Sequence, residues 1–525
     1  MSFTTFLQRL RGKASSSAEG DSGRNAVIKR GLLFDPDAST YDLLTVLNYL
    51  SCLATAKVSR DQLFDAGAAL GYGPSPYFAQ VANLVQSLGY DFAQACHVVA
   101  QEAEDEVMRN FLLRFGNSMA SGEEEATFLE RETHVAMEDY TNGYERDLET
   151  LRKWADAFVA LMVSANLIVL VALISNMIYN MGSMFLLLVE GVVIATAGLG
   201  GYLIYRIAPF DPVVHKLRDK APEQRLMLLL GRMLLPTAAL AALLVYILVG
   251  VLGIALIVAA LVILPVGVLT QKLESKIDNR DRDIADFLRS LGSVAAARGS
   301  TVIDSLKHID QRAIGSLESE LVRLLCRVAA GIKTSRAWAR FIGETGSDLI
   351  HRVVRAFWDA SNHGGDTEKI GRLCGDMALR VYLLRAKRKL VSSTFTYVVI
   401  PMHIALVGVM VFISEVVTAF NEKLLQAQAF VGDENSTTLN PEDIGIPEAL
   451  SFQEFDTGFI KLMVLMVILA LTLVNAFAPR AASGGHNFKM ALFAAATMFA
   501  SGVVLLLVPP IASNMFSDTL SEPLQ

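Results

Sequence analysis

The side chains best placed to do chemistry are clustered charges. Arg385, Lys387, Arg388 and Lys389 crowd the stretch RAKRK, and an acidic run, Glu123, Glu124 and Glu125, follows Gly122. Asp366 follows Gly364-Gly365 in the same way. Cations packed this closely can anchor a neighbouring apolar span or grip an acidic partner. Acids just after a glycine turn stabilise the start of the next helix through its dipole, or meet a basic partner. Two further ionisable residues, Glu190 and His403, lie inside apolar stretches. Such positions are functional candidates because burial in lipid is expensive; pairing across helices is favoured here over a proton path. Catalytic machinery is not expected. The chain has no G-x-x-x-x-G-K-[ST] phosphate loop, its eight histidines have no H-E-x-x-H spacing, and Cys52, Cys96, Cys326 and Cys374 form no C-x-x-C pair. No catalytic, cofactor-binding or metal-ligating residue is therefore assigned.

The elements that must position these charges are unusually apolar. Of 525 residues, 53% are hydrophobic and 19% charged, and the mean hydropathy is +0.41. A hydrocarbon layer needs about 20 apolar residues per crossing. Seven segments meet that need: 155–179, 184–207, 233–249, 252–269, 394–418, 458–478 and 490–512. Residues 226–270 form one apolar run that is about twice a single span, so a fold-back near Gly250 and Gly253 is expected. A net charge of −7 argues against a nucleic-acid partner.

Basic residues set the expected orientation. Segment 271–390 holds 22 Lys and Arg against 15 acids, whereas 419–457 holds eight acids and only Lys423. The positive-inside rule places the polar blocks and the Arg480 turn in the cytoplasm, and seven crossings leave the C-terminus outside. The expected organisation is a disordered cytoplasmic tail (1–40), a first cytoplasmic helical domain (41–153), spans 1–4 (154–270), a second helical domain (271–393), span 5 (394–418), an acidic extracytoplasmic loop (419–457), spans 6–7 (458–512) and an extracytoplasmic tail (513–525).

A gap-free offset of 242 aligns the two polar blocks and the span after each. It pairs Ala54 with Ala296, Gly89 with Gly331, Ala95 with Ala337, Phe115 with Phe357, Gly122 with Gly364 and Tyr140 with Tyr382. Four spans separate the copies, so both face the same way, unlike inverted transporter repeats. Apolar residues recur at helical spacing, as in Ile370, Leu373, Met377, Val381 and Leu384. The fold class is thus all-α: a polytopic membrane protein with two similar helical bundles of four to six helices. The first polar block is acidic, 22 acids against 14 bases through Lys153, and the second basic, so the two can attract each other.

A polar helical domain, a glycine turn, a long charged helix and a span, all in two copies, resembles the type II secretion F domain of inner-membrane platform proteins in type IV filament machines. LGYDFAQAC (88–96), SMASGEEEATFLERE (118–132), YERDLETLRKWADAF (144–158) and SGGHNFKMALF (483–493) look like its archaeal branch, which serves archaella and archaeal pili. The resemblance implies a non-enzymatic membrane component, an oligomer such as a dimer or trimer. It would dock a hexameric secretion ATPase and couple it to insertion of pilin-like or archaellin subunits. Arg385, Lys387, Arg388, Lys389, Glu123, Glu124, Glu125 and Asp366 are then the candidate docking residues. A secondary membrane transporter is the alternative.

Overall fold

The computed structural model describes residues 36–179, 183–309, 315–432 and 457–519. Most of the expected N-terminal tail and acidic loop, and the end of the C-terminal tail, lie outside these residues. The described chain is helical: α1 (Pro36–Ala54), α2 (Arg60–Ala69), α3 (Ser75–Leu88), α4 (Phe92–Glu102), α5 (Glu106–Ser121), α6 (Glu125–Tyr179), α7 (Ser183–Ile207), α8 (Pro222–Val249), α9 (Leu252–Arg298), α10 (Val302–Leu306), α11 (Glu318–Ala329), α12 (Thr334–Thr345), α13 (Asp348–Asn362), α14 (Thr367–Gly432), α15 (Thr457–Ser483) and α16 (Met490–Thr519). Seven of these, α6 to α9 and α14 to α16, are long and apolar enough to cross a membrane. Gly250 ends α8 in the left-handed conformation at φ 72°, and α9 begins two residues later, so the long apolar run does fold back there.

The offset of 242 recurs in the helix boundaries. Helices α2, α4, α5 and α6 start at 60, 92, 106 and 125; α10, α12, α13 and α14 start at 302, 334, 348 and 367. Local chemistry repeats with them. Ser59 and Thr301 cap equivalent helices through their hydroxyls, and the next equivalent pair is capped by the Asp105 carboxylate and the Ser347 hydroxyl. The last two helices in each copy are therefore joined by equivalent short turns, with Gly122 and Gly364 at φ 75° and 85°.

One apolar core runs through both bundles, with its own aromatic packing in each. In the first, Phe64, Phe78, Phe111, Phe115 and Phe128 pack with neighbouring ring centroids 5.2–6.4 Å apart. In the second, Trp338 on α12 stacks on Trp358 of α13 at 5.6 Å. Their counterparts at the offset are Cys96 and Gly116, and a Cβ on Gly116 would lie 3.3 Å from the Cys96 Cβ. The same helix crossing is thus closed by two small residues in one copy and two large ones in the other.

The bundles dock on each other. Arg352 of the second is held by Asp42 of the first at 2.7 Å and lies 4.3 Å from the Tyr41 ring and 4.4 Å from the Tyr72 ring. Lys369 meets Glu130 and Lys387 meets Glu145, each at 2.6 Å. In all three pairs the acid comes from the first copy and the base from the second, as the opposite charges of the polar blocks lead one to expect. Lys387 and Glu145 are themselves equivalent positions, 242 apart, and the long helices α6 and α14 lie side by side.

Candidate functional site at the bundle–membrane junction

All three expected boundaries between a helical domain and a membrane span, at 153/154, 270/271 and 393/394, fall inside helices. Helices α6, α9 and α14 pass from bundle to span without a break. A rigid helix transmits displacement along its axis, so α14 links the second bundle directly to the fifth span. Its basic cluster sits at the crossing point, and the helical turn divides that cluster in two. Arg385 and Arg388, three apart, continue the buried stripe of Met377, Val381 and Leu384, whereas Lys387 and Lys389 face out.

Arg385 is buried and fully engaged. It donates to Asp211 through Nε (2.9 Å) and Nη2 (2.8 Å), to Asp281 through Nη1 (2.6 Å), and to the Pro212 carbonyl (3.0 Å). Asp281 also accepts from the Ser347 hydroxyl. The bidentate fork explains why an arginine is used: only a guanidinium reaches two carboxylates and a carbonyl in one plane. Arg388 is buried too, and donates to the carbonyls of Pro209 (2.7 Å), Ala482 (3.0 Å) and Ala481 (3.2 Å).

These contacts fasten the two short membrane connections to the stalk. The 208–221 connection between α7 and α8 crosses the second bundle. The Val213 carbonyl accepts from the Asp348 N–H, His215 N–H donates to the Gly346 carbonyl, and the His215 ring bonds the Gly343 carbonyl at 3.0 Å. Burial holds the His215 imidazole below its ordinary value, which suits a neutral ring. The turn between α15 and α16 is held from two sides. Gly484 (φ 68°) packs against the Arg388 guanidinium, and Gly485 (φ 85°) against the Glu274 carboxylate, where a Cβ would clash with Oε1. Glu274 then accepts from His486 N–H at 2.7 Å and pairs with Lys489 at 2.9 Å. One cluster of side chains therefore ties together α7, α8, α9, α14, α15 and α16.

The other sequence candidates stand elsewhere. Lys387 and Lys389 are more than half exposed and pair with Glu145 and Asp278. Arg385 and Arg388 do not share that surface, so a partner docking on α14 meets the lysines and not the arginines. Glu123 is drawn below the ordinary carboxylate range by hydrogen bonds from Arg131 and Ser118, and Glu125 pairs with Arg60 at 2.6 Å. Glu124 gives its carbonyl to Phe128 N–H, while Asp366 caps α14 by accepting from the N–H groups of Glu368 (3.1 Å) and Lys369 (3.2 Å). The acidic runs thus serve helix starts, with Glu124 and Asp366 still exposed.

In the membrane layer, Asn475 Nδ2 donates to His403 Nδ1 at 3.0 Å. His403 Nε2 then donates to Ser501 (2.8 Å), and Ser501 contacts Thr472 (2.9 Å). His403 therefore joins three spans as a neutral ring. Glu190 is buried with Oε1 unpartnered among the described residues. No group of three or more His, Cys, Asp or Glu side chains among the described residues is placed to hold a metal ion.

Sequence reasoning missed Asp211, Asp281, Glu274 and the two glycines of the last turn. The only available signal was the register of Arg385 and Arg388 with the apolar stripe.

Residues 287–418 match the family model for type II secretion system protein F. The match covers the second bundle and the fifth span. Over most of its length the chain is similar to two curated proteins, both called flagella accessory protein J. The one from Methanocaldococcus jannaschii is 24% identical over 463 residues, 84% of this chain and 78% of that protein. The one from Methanococcus voltae is 23% identical over 464 residues, 83% of this chain and 78% of that protein. No solved structure matches the chain.

Proposed function

We propose that a chain with a type II secretion F domain at residues 287–418, repeated at an offset of 242 and set on seven apolar helices, is the membrane platform of an archaellum or type IV pilus assembly machine. It works with a secretion ATPase on the bundle side and with filament subunits in the membrane. Both bundles face the cytoplasm and the C-terminus lies outside. The chain is non-enzymatic: it receives mechanical work and passes it on. The observation that carries this reading is the continuous α14, which holds an F-domain bundle at one end and a membrane span at the other, with the short connections clamped to it between.

The exposed cations of that helix, Lys387 and Lys389, together with Glu124 and Asp366 at the two helix starts, are the docking candidates. Co-purification with the secretion ATPase of the same machine tests this. Lys387→Glu with Lys389→Glu should weaken recovery of the ATPase while thermal unfolding of the platform stays near wild type. Recovery equal to wild type would remove these lysines from the interface. Labelling of single cysteines introduced at exposed positions Glu102 and Arg336 tests the orientation; reaction from opposite sides of the membrane would reject it.

A further inference from the structure

Beside the clamp lies a cavity of about 600 Å³ between the 208–221 connection, the start of α8 and the turn joining α15 to α16. Its lining is strongly basic: Arg206, Lys216, Lys220, Arg388 and Arg480 all reach it. Among the described residues, none of these five has a carboxylate within ion-pair distance. Arg388 is only 5% exposed and spends its donors on three backbone carbonyls, so its charge is buried without a counter-ion. Arg480 bonds Asn487, and its Nε is buried and unpartnered. Of the nearby acids, Asp211, which also lines the cavity, shares the Arg385 guanidinium with Asp281, and Glu274 pairs with Lys489. His486, on the cavity wall, is held neutral by burial and by the charges of Arg480 and Lys220. A buried cation such as Arg388 is costly without an anion, and five cations against one lining carboxylate leave the space strongly positive.

We propose that this cavity binds a phosphate group, with the arginines gripping its oxygens and the lysines screening its charge. The position favours a lipid headgroup as the source. Arg206 and Arg480 stand at the same ends of α7 and α15, where the apolar spans stop. Tyr205 and Phe210 are 53% and 39% exposed there, as aromatic side chains at a headgroup boundary are, and Leu226 and Leu229 of α8 lie open nearby at 50% and 53%. Basic pockets between spans on this side of a bilayer suit anionic headgroups. A bound phosphate would bridge the two connections that the clamp already holds. The proposal stands whether or not the chain is a filament platform.

The test uses the full-length protein, purified in detergent and delipidated, then offered dioleoylphosphatidylglycerol, dioleoylphosphatidylcholine or sodium phosphate at matched ionic strength. Retained lipid is read by native mass spectrometry and stabilisation by thermal unfolding. Wild type should retain phosphatidylglycerol at least about ten-fold better than phosphatidylcholine. Lys216→Gln with Lys220→Gln should lower that retention roughly 25-fold, five-fold per charge, from about 1 kcal/mol per cation. Lys153→Gln, an exposed lysine of α6 outside the cavity lining, should change it less than two-fold. If phosphate displaces the lipid and stabilises wild type but not the double variant, the site stands with a soluble source. Equal retention of both lipids and no stabilisation by phosphate would overturn it, as would equal losses in the double variant and the Lys153 control. Arg388 is left intact because it holds the fold. Should the double variant fail to fold, the wild-type comparison alone decides.

Discussion

Replacing Arg385 by Gln should unhinge the second bundle from the membrane. The change strands two carboxylates, with side chains 3% exposed at Asp211 and 1% at Asp281, in a site built around one guanidinium. Breaking a buried ion pair from one side costs about 3–5 kcal/mol, because the remaining charge keeps its desolvation penalty. Lys387→Gln, two positions along, removes a pair whose side chains are 58% and 44% exposed; such pairs contribute less than about 1 kcal/mol. Tryptophan fluorescence during thermal unfolding can tell the two apart, since Trp338 and Trp358 stack inside the second bundle. Arg385→Gln should lower the midpoint by roughly 10 °C and Lys387→Gln by no more than a few degrees. Adding Asp281→Asn should recover part of the loss by removing one stranded charge. A midpoint for Arg385→Gln within about 2 °C of wild type, or no recovery with Asp281→Asn, would refute the clamp. The result also governs how docking is tested, because reversing all four basic charges together would weaken ATPase recovery through the fold alone.

Arg352→Ala should loosen the two bundles, removing the Asp42 pair and both tyrosine contacts; we expect a loss of about 3 kcal/mol and faster proteolysis near α1, and unchanged proteolysis would count against the interface. Burial pulls His351 down to about 4 from its ordinary 6.5, so the fold resists a proton that the unfolded chain accepts. Stability from this group is complete above about 6.5 and falls by roughly 1.4 kcal/mol per unit as pH drops towards 4. His351→Gln should flatten that part of the curve, and identical slopes in wild type and variant would reject the assignment. Cys52 and Cys374 bring their sulfurs to 3.5 Å across the bundle interface. Mild oxidation should therefore join those two and leave Cys96 and Cys326 unlinked to each other, as peptide mass mapping would show. His403→Leu breaks the hydrogen bonds to Ser501 and Asn475 and should cost about 1–2 kcal/mol in detergent unfolding; no change would mean the polar knot is dispensable.

Much of the architecture was legible because its signals are local or repeated. Apolar length marks a span, and the register 122 to 364 survives as a pair of left-handed glycines ending equivalent helices. The site was harder to read because it joins residues far apart in sequence: Asp211, Asp281, Arg385 and Gly485 share one small space, and no short motif connects them. A cluster such as RAKRK looks like a single surface until helical phase is applied. Phase shows that Arg385 and Arg388 fall on the core stripe, but only the fold shows which carboxylates and carbonyls receive them.

The two copies are alike in helix order and unlike in how they are mounted. The counterparts of Arg385 and Arg388 in the first copy are Gly143 and the exposed Arg146, so nothing equivalent to the clamp can form there. In the second copy, α9 and α14 also close to backbone contact: a Cβ on Gly292 would lie 3.1 Å from the Gly371 Cα, and the matching first-copy positions are the bulky Leu50 and Leu129. Close helix contact leaves little room to slide, which makes the second bundle the stiffer of the two. The first bundle reaches the membrane through α6 and through its packing on the second, where α1 is buried against α13 and α14 and flanked by ion pairs. The first copy is thus joined to the membrane by one helix and a packed, ion-paired interface, whereas the clamp of the second joins it to six membrane helices at once. The clamp is confined to one copy, and it fixes the second bundle to the membrane helices at more points than the first.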